Sequence, residues 1–146
     1  MAYGVGIHSS EGENAELDHI TRPLKLAAML TNDYYSYHKE RALHRVRKNP
    51  GHVFNAVSIL MVEHSMAEED ARSLLKMKIF EAEQQHNEAF EAAQKGGKLS
   101  EKSYKFVMGF RLFTAGSALW HTASPRYLES ESILPTDEKT IAEYGK

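Results

Sequence analysis

Asn32, Ser36 and Glu40 carry an amide oxygen, a hydroxyl and a carboxylate at intervals of four residues. On an α-helix four residues advance about 400°, so each side chain lands one turn along and about 40° around from the last. The three groups therefore form a short stripe on one helix face. All are hard oxygen donors, a set that suits Mg2+ or Mn2+ and not zinc. Three protein oxygens leave an octahedral ion with positions open to phosphate oxygens and water, which is how magnesium is usually held. Lys39, beside Glu40, adds a cation within reach of the same phosphate. Polar residues at this spacing also occur on solvated helix faces, so the spacing alone leaves a bland reading standing beside the metal one.

The elements that must position this stripe read as helices. Thr21 can cap and Pro23 suits a first turn, and apolar residues recur at Leu24, Ala27, Ala28, Leu30 and Tyr34, which predicts a first helix over 21–47. It ends in a basic turn before Asn49-Pro50-Gly51, and 1–15 read as a loop or a frayed helix end. A strongly apolar second helix over 51–64 (Val53, Phe54, Val57, Ile59, Leu60, Met61) is expected to be the most buried element. Ser65-Met66-Ala67-Glu68 has the form of a capping box, opening a third, amphipathic helix that stops at Gly96-Gly97. Ser100 caps a fourth helix over 101–122, with Phe106, Phe110, Phe113, Leu119 and Trp120 on it. No period-two pattern persists, so the fold class is all-α, a helical bundle of four main helices. Residues 128–146 are polar and read as a tail, a lid or a linker.

Composition narrows the function classes. The chain has 146 residues, enough for one modest domain, with 42% hydrophobic and 26% charged residues. A formal net charge of −2 gives no basic footprint for nucleic acid. The absence of cysteine excludes disulfides, thiolate catalysis and cysteine-based zinc sites. Nothing approaches a membrane span and the N-terminus lacks a signal-peptide pattern, so a soluble cytoplasmic protein is expected. Eight histidines occur with no two three or four residues apart, so no helical His pair exists and most are expected at surfaces or caps. Arg22 is expected to pair with Asp18 or Glu16.

Four segments carry a family resemblance. NDYYSYHKE (32–40) resembles the NSE motif of class I terpene synthases in its ND-x-x-S-x-x-K-E form, and WHTASPRY (120–127) resembles the segment whose Arg-Tyr pair ends the last catalytic helix of microbial members. GHVFNAVSILMVEH (51–64) is similar to the helix after that motif in fungal di- and sesterterpene cyclases, and AYGVGI resembles the segment before it. The resemblance implies that 1–127 form a partial terpene synthase domain, the C-terminal half of the class I fold. It implies that Asn32, Ser36 and Glu40 hold one of three Mg2+ ions (Mn2+ being possible), and that Lys39, Arg126 and Tyr127 hold the diphosphate. The substrate would be a polyprenyl diphosphate (farnesyl, geranylgeranyl or geranylfarnesyl), ionised for carbocation cyclisation.

Ionisation of an allylic diphosphate needs positive charge at the leaving group, and the cation left behind needs a dry aromatic pocket. Tyr34, Tyr35, Phe110, Phe113 and Trp120 are candidate walls, though each taken singly reads more readily as core packing; Trp120 is the preferred exception because it sits about one and a half turns before Arg126. The chain departs from the family pattern in two respects, one being that it lacks the upstream Arg expected to sense the diphosphate. No aspartate-rich DDxxD-type motif occurs, and the acidic runs Glu68-Glu69-Asp70 and Asp137-Glu138 both lie downstream of the stripe. A single chain would then be incomplete as an enzyme. It would work with further copies of itself or with a second chain carrying the aspartate-rich motif. The alternative is a non-catalytic truncated homologue or regulatory subunit that retains diphosphate binding.

Overall fold

The structure, a computed structural model, describes residues 11–47 and 51–125. They form four helices: α1 (Glu11–Val46), α2 (Ala56–His64), α3 (Glu68–Lys95) and α4 (Glu101–Ala123), with no strand among the described residues. At about 1.5 Å per residue, the 36 residues of α1 make a rod roughly 54 Å long. The other three helices all pack on it. Contacts pair Ile20 with His86 and Tyr34 with Arg72, so α3 runs antiparallel to α1. Glu13 meets Ser103 and Asn32 meets His121, so α4 runs parallel to it.

Two apolar clusters hold this arrangement. Leu17 and Ile20 of α1 pack with Phe90 and Ala93 of α3 and Val107 of α4 at one end. Tyr37 of α1 packs with Val57 and Leu60 of α2 and Ala71 and Leu75 of α3 at the other. Between the clusters α1 buries Leu24 and Ala27, and α3 buries Ala82.

The first helix starts ten residues earlier than the sequence pattern predicts. Thr21 is not a cap: it is buried inside α1, and its hydroxyl donates to the Leu17 carbonyl at 2.8 Å. Pro23 lies within the helix and supplies no N–H to the carbonyl four residues back. The helix continues because Leu17 and Ile20 are buried in the first cluster, so tertiary packing outweighs the break. Polar ties add to this. The Glu13 carboxylate accepts from the Ser100 N–H at 3.1 Å and from the Ser103 hydroxyl at 2.5 Å, and Arg22 pairs with Asp18 as the spacing predicts.

Two further boundaries differ. The second helix begins at Ala56, with Asn55 as its N-cap, and its apolar residues are not uniformly buried: Phe54 is 96% exposed, and Ile59 and Val62 are exposed too. Ser65 does not open a capping box. It ends α2 in the left-handed region at φ 51°, while Met66 N–H donates to the Met61 carbonyl. Ala67 takes the N-cap of α3 with no side-chain bond, and Glu68, Glu69 and Asp70 complement the exposed amides of that first turn electrostatically. The Gly96-Gly97 stop and the Ser100 cap fall where the sequence places them. Gly97 adopts φ 63°, and Ser100 Oγ accepts from Ser103 N–H at 3.2 Å.

His86 and His121 are the buried exceptions among the described histidines, most of which lie at the surface as expected. The His86 ring stacks on Phe90, and its Nδ1–H donates to the Ile20 carbonyl at 2.7 Å. Burial pushes this imidazole below its ordinary pKa of 6.5, the Ile20 bond opposes that, and the Arg111 charge adds to it. The unfolded chain thus takes up the proton at higher pH than the folded one. The contribution of neutral His86 is complete above about pH 6.5 and is lost as pH falls through the folded-state value. In urea unfolding between about pH 7.5 and about pH 5.5, wild type should lose more stability than His86→Leu. Equal losses would show that this histidine does not titrate on unfolding.

Candidate metal and diphosphate site

The stripe exists as the spacing requires, because α1 is unbroken from Asn32 through Glu40. Its three members differ in burial. Asn32 is exposed, Ser36 is 5% exposed, and Glu40 is half-buried. Lys39 falls about 20° from Asn32 around the helix axis at 100° per residue, so it belongs to the same face. It is half-buried and engaged with the rest of the chain.

The side chain that organises this face is Asn55, which the sequence analysis did not single out. Its Oδ1 accepts from Val57 N–H at 2.9 Å, capping α2. Its Nδ2 donates to the Asp33 carbonyl at 3.0 Å and to Glu40 Oε2 at 3.0 Å, with Ser36 Oγ at 3.5 Å. Two of the three stripe oxygens thus lie around one nitrogen. Asp33 completes the junction: its Oδ2 accepts from Ala56 N–H at 2.9 Å, at the positive end of α2. Burial raises the Asp33 carboxyl above the usual carboxylate range; the Ala56 bond pulls it down and the Glu40 charge raises it further. The signal for Asn55 was present in the sequence, an Asn immediately before an apolar run being a strong N-cap pattern.

The third member of the stripe, Asn32, is met from α4 at its amide nitrogen. His121 Nε2 lies 3.1 Å from Asn32 Nδ2, and His121 Nδ1 lies 2.6 Å from the Ser117 carbonyl. Tyr35 packs beside this pair, its ring 5.8 Å from that of His121. No local pattern announces the contact, since 89 residues separate the partners.

The other candidates divide. Tyr34 lies on the α3 side, under the Arg72 guanidinium at 4.1 Å and near Lys76, and it packs on the second apolar cluster. It bounds an open cleft with His38, Glu68 and Lys76, about half a turn around α1 from the stripe. Phe110 stacks on both Phe106 and Phe113 along α4. Phe113 is 58% exposed and Trp120 50% exposed, so neither is core of the described bundle. Arg126 and Tyr127, together with 1–10 and 128–146, lie outside the described residues.

The donor chemistry fits a hard divalent ion: an amide, a hydroxyl and a carboxylate on one face, with a cationic side chain alongside. Residues 1–85 match the family described as terpene synthase family 2, C-terminal metal binding. The chain belongs to that family. Its curated relatives are fungal. It is 28% identical to talaropentaene synthase of Talaromyces verruculosus across 99% of its length. It is 29% identical to ophiobolin F synthase of Aspergillus clavatus across 87% and 30% identical to phomopsene synthase of Phomopsis amygdali across 86%. The chain spans 22% of the first of these relatives and 17% of the other two. Among the described residues no helix is long and apolar enough to cross a membrane.

Replacing Asn55 tests the junction directly. Asn55→Ala removes the α2 cap and strips Glu40 and the Asp33 carbonyl of a donor. The expected cost is about 2 kcal/mol of unfolding free energy. Hydrogen exchange should accelerate first at the amides of Val57 and Ser58, and an unchanged exchange pattern would contradict the assigned cap.

Proposed function

We propose that this face of α1 binds one Mg2+ ion, or Mn2+ in its place, through Asn32, Ser36 and Glu40. With Lys39 it forms one wall of a terpene cyclase site for a polyprenyl diphosphate of farnesyl, geranylgeranyl or geranylfarnesyl length. The observation that carries the reading is the pair of hydrogen bonds that Asn55 donates to Glu40 and His121 accepts from Asn32, which hold atoms at both ends of the stripe. A face that was only solvated would not need its side chains held by two other helices.

The ion, when bound, supplies positive charge that stabilises the departing diphosphate. Every other task falls to the chain itself. Glu40 contributes the only formal negative charge among the three proposed ligands. Lys39 is assigned to the diphosphate oxygens, and Arg126 and Tyr127 are assigned to the same group. Tyr35 beside Asn32, and Phe113 and Trp120 on α4, are assigned to the apolar wall that would face a carbocation, where ring faces favour positive charge and water is excluded. Residues 1–127 are proposed as this partial domain and 128–146 as a polar tail or linker.

The wall needs a counterpart. Leu112, Phe113, Leu119 and Trp120 leave an apolar face of α4 exposed, an unusual feature for an isolated bundle. The proposed counterpart is either a second chain carrying an aspartate-rich segment or, for covering the apolar face alone, a further copy of this chain. By itself this chain is proposed to turn over little substrate, since one metal position neutralises a diphosphate only in part.

Calorimetric titration of the chain with inorganic pyrophosphate in Mg2+ should show binding that Glu40→Ala weakens by roughly tenfold or more. Binding unchanged by that substitution would remove the role assigned to the stripe. Incubation with farnesyl or geranylgeranyl diphosphate, alone and with a chain carrying the aspartate-rich helix, separates the two functional readings. Cyclised product only on complementation supports a divided site. Pyrophosphate binding without product in either case supports a non-catalytic diphosphate-binding homologue.

A further inference from the structure

The amide of Asn32 poses a problem that Ser36 and Glu40 do not. Only its oxygen can ligate a cation, yet an exposed amide can turn its nitrogen to the same place by rotation of the terminal torsion. A ligand stripe that includes Asn therefore needs something that distinguishes the two atoms.

His121 is built to do this. Its Nδ1 lies 2.6 Å from the Ser117 carbonyl oxygen, which can only accept, so Nδ1 carries a proton. In the neutral ring Nε2 is then an acceptor, and it faces Asn32 Nδ2, a donor, at 3.1 Å. The opposite amide orientation would set an oxygen lone pair against the ring's lone pair. The ring itself has little freedom: it is 5% exposed, with Trp120 edge-on at 5.2 Å and Tyr35 at 5.8 Å. We propose that His121 is a positioning residue that claims the nitrogen of Asn32 and so dedicates its oxygen to the metal. The proposal rests on the metal reading above. It has a counterpart at the far end of the stripe, where Asn55 occupies Glu40 Oε2 and leaves Oε1 as the other carboxylate oxygen.

Two measurements on the whole chain test it. Long-range proton–nitrogen correlation spectra of the imidazoles, recorded on neutral rings, should show His121 as the Nδ1–H tautomer. A dominant Nε2–H tautomer overturns the proposal. The second measurement is Mn2+ retention in the presence of inorganic pyrophosphate, read from the paramagnetic resonance signal of the free ion. His121→Leu should weaken Mn2+ binding by roughly tenfold, and His121→Gln, which keeps an acceptor, should recover much of it.

Asn32→Asp supplies the decisive background, because a carboxylate has oxygen at both positions and needs no orienting. There, adding His121→Leu should change Mn2+ affinity by less than about twofold relative to Asn32→Asp alone. Equal losses in both backgrounds would show that His121 only supports the packing, and would overturn the proposal. A wild-type chain that retains no Mn2+ with pyrophosphate would remove the metal reading, and this proposal with it. In that case the tautomer spectrum would still report whether Nε2 is the accepting nitrogen of His121.

Discussion

The bundle depends on α1 remaining one rod through Pro23. A proline in a helix interior costs about 3 kcal/mol and invites a kink or a break. Here that cost is met by burial on both sides of it: Leu17 and Ile20 before the proline, Leu24 and Ala27 after it. His86 reinforces the same turn by bonding the Ile20 carbonyl. Were the helix to break at residue 23, the stripe would survive locally but would lose its register with α4. The N-terminal part of α1 meets the start of α4 through Glu13, Ser100 and Ser103, and the stripe meets the end of α4 through Asn32 and His121. The two contacts are compatible only while a single rigid element joins them.

Stability and site geometry then share the same atoms. Asn55 caps α2 with its oxygen and steadies Glu40 with its nitrogen, so the fold of α2 and the orientation of a proposed ligand are one arrangement. Asp33 is tied up in the same way. Its carboxylate lies against the amide end of α2, which accounts for its place outside the proposed ligand set. Holding polar groups in this way is costly in a small bundle unless partners are present, and the network supplies them from the backbone of Asp33, Ala56 and Val57 and from the Glu40 carboxylate.

How much of this could be read from the sequence follows from the range of each interaction. The stripe, the Gly96-Gly97 stop and the Ser100 cap are local and were legible, as was the all-α class. The start of α1 was not, because capping residues at Thr21 and Pro23 carry a correct local signal that distant partners, Phe90 and Val107, override. Ser65 misled for a related reason: the residue that looks like the start of α3 is used to finish α2, and a four-residue pattern does not distinguish the two ends. Asn55 was legible as a cap but not as a partner of Glu40, and His121 was not legible as a partner of Asn32. Each depends on helices meeting in space. Phe54 shows the converse, an aromatic in an apolar run that the bundle leaves exposed.

The charge of the stripe bears on the order in which its proposed ligands assemble. Two of the three proposed metal ligands are neutral, and Asp33, next to them, is engaged by the Ala56 amide of α2. A divalent ion at this face would meet one formal negative charge, from Glu40, with the cationic Lys39 on the same face opposing it. Magnesium gives up its water reluctantly and is commonly held by one or two carboxylates together with phosphate oxygens. On the proposed reading, the missing negative charge therefore comes from the diphosphate, and the ion and the anion bind as a pair. Lys39 then changes from an opponent of the bare ion to a partner of the complex. Such a wall would hold metal weakly without its substrate and firmly with it, a property set by having Asn and Ser where carboxylates would otherwise stand.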